Sequence, residues 1–208
     1  MQAQNICEQV AIDTKQVILL SIVALPNGQL GTRDSRGVIK RWGMDNRQIR
    51  PNIETVYPIL NGGLVAMTNG ELVSGGNNGN LRRWGMDGKQ IGPTINTITN
   101  DNRMYSLLGL SDGDLATGTD VGILTSWGMD GKQVGITVET GQTSLWFLVE
   151  PSDGQLVSAG FAAVSLKTWG KGGKQLGPTI NTGHNISSLV ALPNGEIASG
   201  GDDGTLKL

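Results

Sequence analysis

The stretch RWGMDGKQIGPTIN, Arg83–Asn96, reads as the end of one strand, a tight turn and the start of another. The tripeptide WGM occurs at Trp42, Trp84 and Trp127, and a variant, WGKGGKQLGPTIN, begins at Trp169. Four of the five tryptophans therefore recur at intervals of 42, 43 and 42 residues, while Trp146 stands outside that register. A regular period of this length is the mark of a repeated structural unit.

A second landmark extends the period over the chain. Asn-Gly or Asp-Gly pairs fall at Asn27-Gly28, Asn69-Gly70, Asp112-Gly113, Asp153-Gly154 and Asn194-Gly195, spaced 41 to 43 residues apart. Each of the five units holds an apolar run (such as SIVALP), the turn pair, a second run (ELVS), a glycine-rich turn and a third run (LRRW is typical), and in the first four a turn such as Met-Asp-Gly-Lys and a fourth run follow. Such pairs accept the positive φ of two-residue hairpin turns, so the runs read as antiparallel meanders. Glycine, 32 of 208 residues against a usual share of about 7%, interrupts every window long enough for a helix. Four short strands in about 42 residues describe a propeller blade. The expectation is an all-β, five-bladed β-propeller of four-stranded antiparallel blades, one domain over residues 1–208.

The stretches NGEIASGGDDGTLKL and NGELVSGGNNGNLRRW resemble the Trp-Asp (WD) repeat family, bacterial type. The resemblance implies a buried hydrogen-bonded set in each blade: a His before the first strand, a Ser or Thr on the second, an Asp in the turn that follows, and the Trp ending the third. The hydroxyl position is filled in every unit by Thr32, Ser74, Thr117, Ser158 and Ser199, and the Trp position by Trp42, Trp84, Trp127 and Trp169. Only the last unit has both His184 and Asp203; elsewhere the Asp position holds Arg36, Asn78 and Val121, and the fourth unit carries an extra residue there. The polar bracing is thus expected to be weaker or replaced by packing. The chain reaches Leu208 before a fifth fourth-strand, and CEQVAIDT, Cys7–Thr14, matches the fourth runs with two residues deleted. That match predicts an N-terminal strand completing the last blade, as in the family's clasp, with a monomer favoured over a strand-swapped oligomer.

Composition narrows the function. The net charge of -2 offers no basic field for nucleic acid. The apolar patch Val17–Leu25 is too short to span a bilayer, so no membrane partner is expected. The single Cys7 fits a reducing, cytoplasmic setting and, without a second Cys or His beside it, builds neither a disulfide nor a metal site. No cofactor motif is present. A glycosidase would need two facing carboxyls around the axis, and the innermost runs offer only Glu150, where other units have Ala24, Ala66, Gly109 and Ala191. An enzyme is not expected.

Two rings remain. Asp13-Thr14, Glu54-Thr55, Asn96-Thr97, Glu139-Thr140 and Asn181-Thr182 end the fourth runs and read as caps on backbone groups, with a rim of oxygen ligands as the sharper alternative. Eight residues before each turn glycine lie Leu20, Gly62, Tyr105, Trp146 and Ser187, at the mouth of a central channel. Aromatic side chains there combine flat apolar area with a polar tip. The candidate ligand-binding residues are Trp146, Tyr105, Ser187 and Glu150, on a binding platform for a protein or peptide. A carbohydrate-binding lectin and a structural or engineered repeat without a ligand are the alternatives. Pro51, Pro93 and Pro178 in the fourth runs suit an outer edge, where they discourage pairing with other chains.

Overall fold

Gly28 shows how the units turn. The Leu25 N–H donates to Gln29 O at 2.8 Å and the Gly28 N–H to Leu25 O at 2.9 Å, so Pro26, Asn27 and Gly28 form a three-residue loop. Gly28 has φ +82, whereas Asn27 is not among the positive-φ residues. The expected two-residue turn is therefore replaced by a type I turn followed by a left-handed glycine, the next commonest hairpin solution. Asn27 instead caps the loop, its Oδ1 accepting from Gln29 N at 3.1 Å. Gly70, Gly113, Gly154 and Gly195 repeat the positive φ.

The computed structural model describes residues 11–55, 63–76, 78–97, 102–151 and 154–208. Blade 1 comprises β1 (Leu19–Ala24), β2 (Leu30–Asp34), β3 (Val38–Trp42) and β4 (Gln48–Glu54); blade 2, β5 (Leu64–Ala66), β6 (Leu72–Gly75), β7 (Asn80–Trp84) and β8 (Gln90–Asn96). Blade 3 holds β9 (Met104–Gly109), β10 (Leu115–Thr119), β11 (Ile123–Trp127) and β12 (Gln133–Glu139); blade 4, β13 (Leu145–Val149), β14 (Leu156–Gly160), β15 (Ser165–Trp169) and β16 (Gln175–Asn181). Blade 5 contains β17 (Ile186–Ala191), β18 (Ile197–Gly201) and β19 (Leu206–Lys207). Every sheet is an antiparallel meander, and the five are arranged as a five-bladed β-propeller without helices among the described residues. Residues 7–10 of the expected clasp lie outside the described residues, as do Gly62 and Asp153; residues 11–14 carry no strand.

The prolines sit where an edge tolerates them. The pairing of third and fourth strands slips at one place in each complete blade, between Ile39 and Arg41, Leu81 and Arg83, Leu124 and Ser126, and Leu166 and Thr168. Pro51, Pro93 and Pro178 fall in that slipped stretch of the outermost strands, where no ladder N–H is needed.

The core is divided among the seams between blades. Leu25, Ile39 and Ile53 of blade 1 meet Leu64, Leu72 and Trp84 of blade 2. Met67, Val73, Leu81 and Ile95 meet Met104, Leu115 and Trp127 at the next seam. Two further clusters join blade 3 to blade 4 and blade 4 to blade 5. Each buried Leu or Ile contributes roughly 1.5–3 kcal/mol.

The bracing expected from the hydroxyl and Trp positions is present. The indole N–H of Trp42 donates to Thr32 Oγ1 at 2.8 Å, Trp84 to Ser74 Oγ at 2.8 Å, Trp127 to Thr117 Oγ1 at 2.9 Å and Trp169 to Ser158 Oγ at 2.8 Å. Contrary to the expectation that the histidine half is lost, glutamines replace it in blades 1 and 4. Thr32 donates to Gln16 Oε1 at 2.6 Å and Ser158 to Gln142 Oε1 at 2.6 Å. Gln16 and Gln142 stand two residues after Thr14 and Thr140, as His184 does after Thr182. A glutamine amide can serve the same hydroxyl because, like imidazole, it offers an acceptor and a donor on one planar head.

His184 reaches Asp203 indirectly. Its Nε2 lies 3.2 Å from Ser199 Oγ and its Nδ1 2.8 Å from Thr205 Oγ1, which in turn donates to Asp203 Oδ1 at 2.7 Å. Asp203 itself is 4.0 Å from the ring and half-exposed. The capping role of the threonines also holds: Thr55, Thr97 and Thr140 donate their hydroxyls to Gly37 O, Gly79 O and Gly122 O at 2.7–2.8 Å. Those hydroxyls are spent on backbone.

Candidate functional site

Trp146 and Tyr105 are brought together by register. Both begin inner strands, β13 and β9, one residue after a side chain that is wholly buried in a seam, Leu145 and Met104. Strand alternation then turns Trp146 away from that seam. Their rings meet edge to face at 5.8 Å and 83°. A third ring, Phe161, lies 4.3 Å from Trp146 in a tilted stack.

Phe161 was not anticipated from the sequence. It follows β14 in the turn of the fourth unit, the turn with the extra residue, where Ala162 takes φ +50. The Phe161 N–H donates to Ser144 O at 2.8 Å, tying this turn to the residue just before β13. The usable signal was an aromatic where the other units carry Ser35, Asn77, Asp120 and Asp202. Trp146 is 38% exposed and Phe161 56% exposed, and Val121 and Val164 add apolar surface from the two turns on the same side of blades 3 and 4. An exposed pair of large aromatics with a phenol beside it is more than a scattered surface residue.

Ser187 holds the equivalent place at the start of β17 and donates to Gly200 O at 3.4 Å. It is exposed, but contributes no ring to the cluster. Glu150 is separated from the cluster. It follows the far end of β13, and at roughly 3.3 Å per residue the strand carries it to the opposite face from Trp146.

There Glu150 accepts from Ser111 N at 2.6 Å and from Ser111 Oγ at 3.0 Å. It lines a cavity of about 180 Å³ between blades 3 and 4 with Leu110, Asp112, Asp114, Leu156 and Lys171. Lys171 reaches across the seam to Asp112 at 2.9 Å. That bond holds the Asp112 carboxyl below its ordinary value of 3.8, while burial and the Asp112 charge push Asp114 upward. Because Asp112 is depressed in the folded chain, its contribution to stability is complete above pH 3.8 and fades as pH falls through the lowered value. In Lys171→Ala, the Asp112 carboxyl followed by NMR should titrate closer to 3.8; an unmoved midpoint would show that the bridge is not formed in solution. Sequence reasoning missed this grouping because Asp112 and Lys171 are 59 residues apart. Among the described residues no group of three or more His, Cys, Asp or Glu is placed to hold a metal ion, and no helix is long and apolar enough to cross a membrane.

No protein-family model matches the chain, and no curated protein sequence does. Solved structures do share its fold. Virginiamycin B lyase from Staphylococcus aureus, in selenomethionine form, overlays 95% of this chain on 71% of its own with TM-score 0.72 and 12% identity. Its catalytically inactive histidine-to-alanine variant with quinupristin gives TM-score 0.71 at 14% identity, over 95% of this chain and 71% of that one. The WD40 β-propeller domain of Doa1 gives TM-score 0.74 at 18% identity, over 90% of this chain and 62% of that one. The chain thus spans less than two thirds of the Doa1 chain and under three quarters of the lyase. At these identities the likeness establishes the β-propeller architecture, and function rests on the sites.

Proposed function

We propose that this chain is a non-enzymatic binding platform that takes a protein or peptide on the face formed by Tyr105, Trp146 and Phe161. The observation that carries the reading is the stack itself: two large aromatic side chains left in solvent while in contact with each other, on a rigid inner strand and a tethered turn. Aromatics of this kind are the residues on which peptide anchors pack. The asymmetry supports a single ligand site, since the rings come only from blades 3 and 4. A lectin built on repeats would place the same aromatic in several units.

The lyases of this fold are enzymes, and one of them is inactivated by loss of a histidine. The single histidine of this chain, His184, is buried, and both ring nitrogens face hydroxyls of the blade, which supports the non-enzymatic reading. The lone Cys7 supports a cytoplasmic location.

The test is a displayed random-peptide library and a glycan array against the wild-type chain, each repeated with Trp146→Ala and Phe161→Ala. Selected peptides should lose about tenfold or more in affinity in either variant, roughly 1.4 kcal/mol, while circular dichroism shows the fold retained. Peptides that bind the variants as well as the wild type would remove the proposal. Glycans occupying several sites per chain would replace it with the lectin reading.

A further inference from the structure

One blade fills a place that its neighbour leaves open. In blade 2 the residue before β6, Glu71, meets Arg83, the residue before the Trp that ends β7. Arg83 donates from Nε and Nη2 to the Glu71 carboxylate at 2.8–3.1 Å and from Nη1 to Met129 O of blade 3 at 2.9 Å. This largely buried guanidinium therefore bridges the seam between the two blades. Blade 1 sets Gln29 and Arg41 in the same register, with Arg41 Nη1 3.7 Å from Met86 Sδ of blade 2 and the residue 2% exposed.

Blade 3 keeps the acid and loses the arginine. Asp114 and Ser126 precede Leu115 and Trp127 as Glu71 and Arg83 precede Leu72 and Trp84, and both strand pairs share one register. Lys171, two residues after Trp169, takes the place of Met129. The cavity of about 180 Å³ between blades 3 and 4 opens at this point, with Asp114, Ser126 and Lys171 in its wall. Leu110 and Leu156 give it apolar surface, and Asp112, Asp114 and Glu150 set three carboxylates against the one ammonium of Lys171. Asp112 is held by Lys171 and Glu150 by Ser111, whereas among the described residues no side chain donates to the Asp114 carboxyl. Lys171 O, the counterpart of Met129 O, lies 3.3 Å from where a Cβ on Gly135 would stand, and Gly135 also lines the cavity.

We propose that this cavity binds the guanidinium of an arginine side chain supplied by a protein partner, which takes in blade 3 the place that Arg83 holds in blade 2. The guanidinium forks onto Asp114 as Arg83 does onto Glu71, a remaining N–H reaches Lys171 O, and the methylenes lie on Leu110 and Leu156. A planar fork of five donors suits a carboxylate with a carbonyl beside it, which a compact ammonium does not match. The site is on the face opposite Trp146 and is independent of the aromatic stack.

NMR titration of the isotope-labelled full chain with N-acetyl-arginine amide tests it. The amide signals of Asp114, Ser126, Gly135 and Lys171 should shift saturably at millimolar concentration. N-acetyl-citrulline amide, of the same shape without the charge, should leave them in place. Asp114→Asn should weaken binding about tenfold or more, because a charge-assisted bond is lost. Ser126→Arg should abolish binding and raise the urea midpoint, since the chain then carries its own arginine in the cavity. Wild-type signals that do not move, equal binding of the citrulline derivative, an Asp114→Asn variant of unchanged affinity, or a Ser126→Arg variant that still binds would each overturn the proposal. Free arginine acting at lower concentration than the blocked residue would overturn the protein-borne source in favour of a small guanidine. Should Asp114→Asn unfold the chain, Ser126→Arg and the citrulline comparison carry the test.

Discussion

Gly122→Ala is expected to destabilise the chain by more than about 4 kcal/mol, a large share of the 5–15 kcal/mol that a folded domain has. Gly122 turns the chain between β10 and β11 at φ +82, where any side chain costs about 1–2 kcal/mol. The position of its missing Cβ is only 1.7 Å from Gln142 O and 2.9 Å from Gln142 C, both backbone atoms that cannot rotate aside. Displacing that backbone also breaks what depends on it: Thr140 donates its N–H and its hydroxyl to Gly122 O at 3.0 and 2.8 Å, and Gln142 braces Ser158. Gly113→Ala is the control. It has the same kind of backbone, φ +95, with nothing within 4 Å of the added methyl, so it should cost only the strain, about 1–2 kcal/mol. Urea unfolding of the two variants separates the effects, and equal losses would mean that the crossover at Gln142 yields without cost.

Ser158→Ala should cost about 2–4 kcal/mol, the second largest effect expected of a single substitution. Ser158 is wholly buried, accepting from the Trp169 indole at 2.8 Å and donating to Gln142 Oε1 at 2.6 Å. Removing one oxygen strands a donor and an acceptor in a buried seam, each worth about 1–3 kcal/mol when left unmade. Ser199→Ala makes the comparison sharp. It holds the same register in blade 5, where its hydroxyl lies 3.2 Å from His184 Nε2 rather than against an indole, so its loss should be about 1 kcal/mol. Adding Trp169→Phe to Ser158→Ala should then cost less than it does in the wild type, since the donor it deletes is already stranded. If Ser158→Ala and Ser199→Ala prove equal, the indole bond carries no net weight.

The two variants probe different levels of information. The Trp169–Ser158 bond is visible in the sequence because its partners are 11 residues apart on adjacent strands of one hairpin, and hairpin register follows from alternation and turn length. The same is true of Trp42–Thr32, Trp84–Ser74 and Trp127–Thr117, all 10 residues apart. Gln142, by contrast, reaches Ser158 from the preceding crossover, and no pattern of hydrophobicity distinguishes it from an exposed glutamine; only the observation that it occupies the His184 position would have found it. The type of hairpin loop is not legible in the sequence, because Asn-Gly suits both a two-residue turn and a longer loop with glycine left-handed, and strand pairing decides between them.

The sequence by itself determined the period, the five meanders and the hydroxyl–indole braces, because a strand's side chains alternate with a period of two and a short turn fixes its partner. Tertiary structure alone decided that Phe161 stacks on Trp146 and that Glu150 faces the opposite side with Asp112 and Lys171. Those relations depend on how far one sheet is rotated and shifted against the next. That placement is set by the packing of whole seams, to which no residue and its near neighbours in the chain hold the answer.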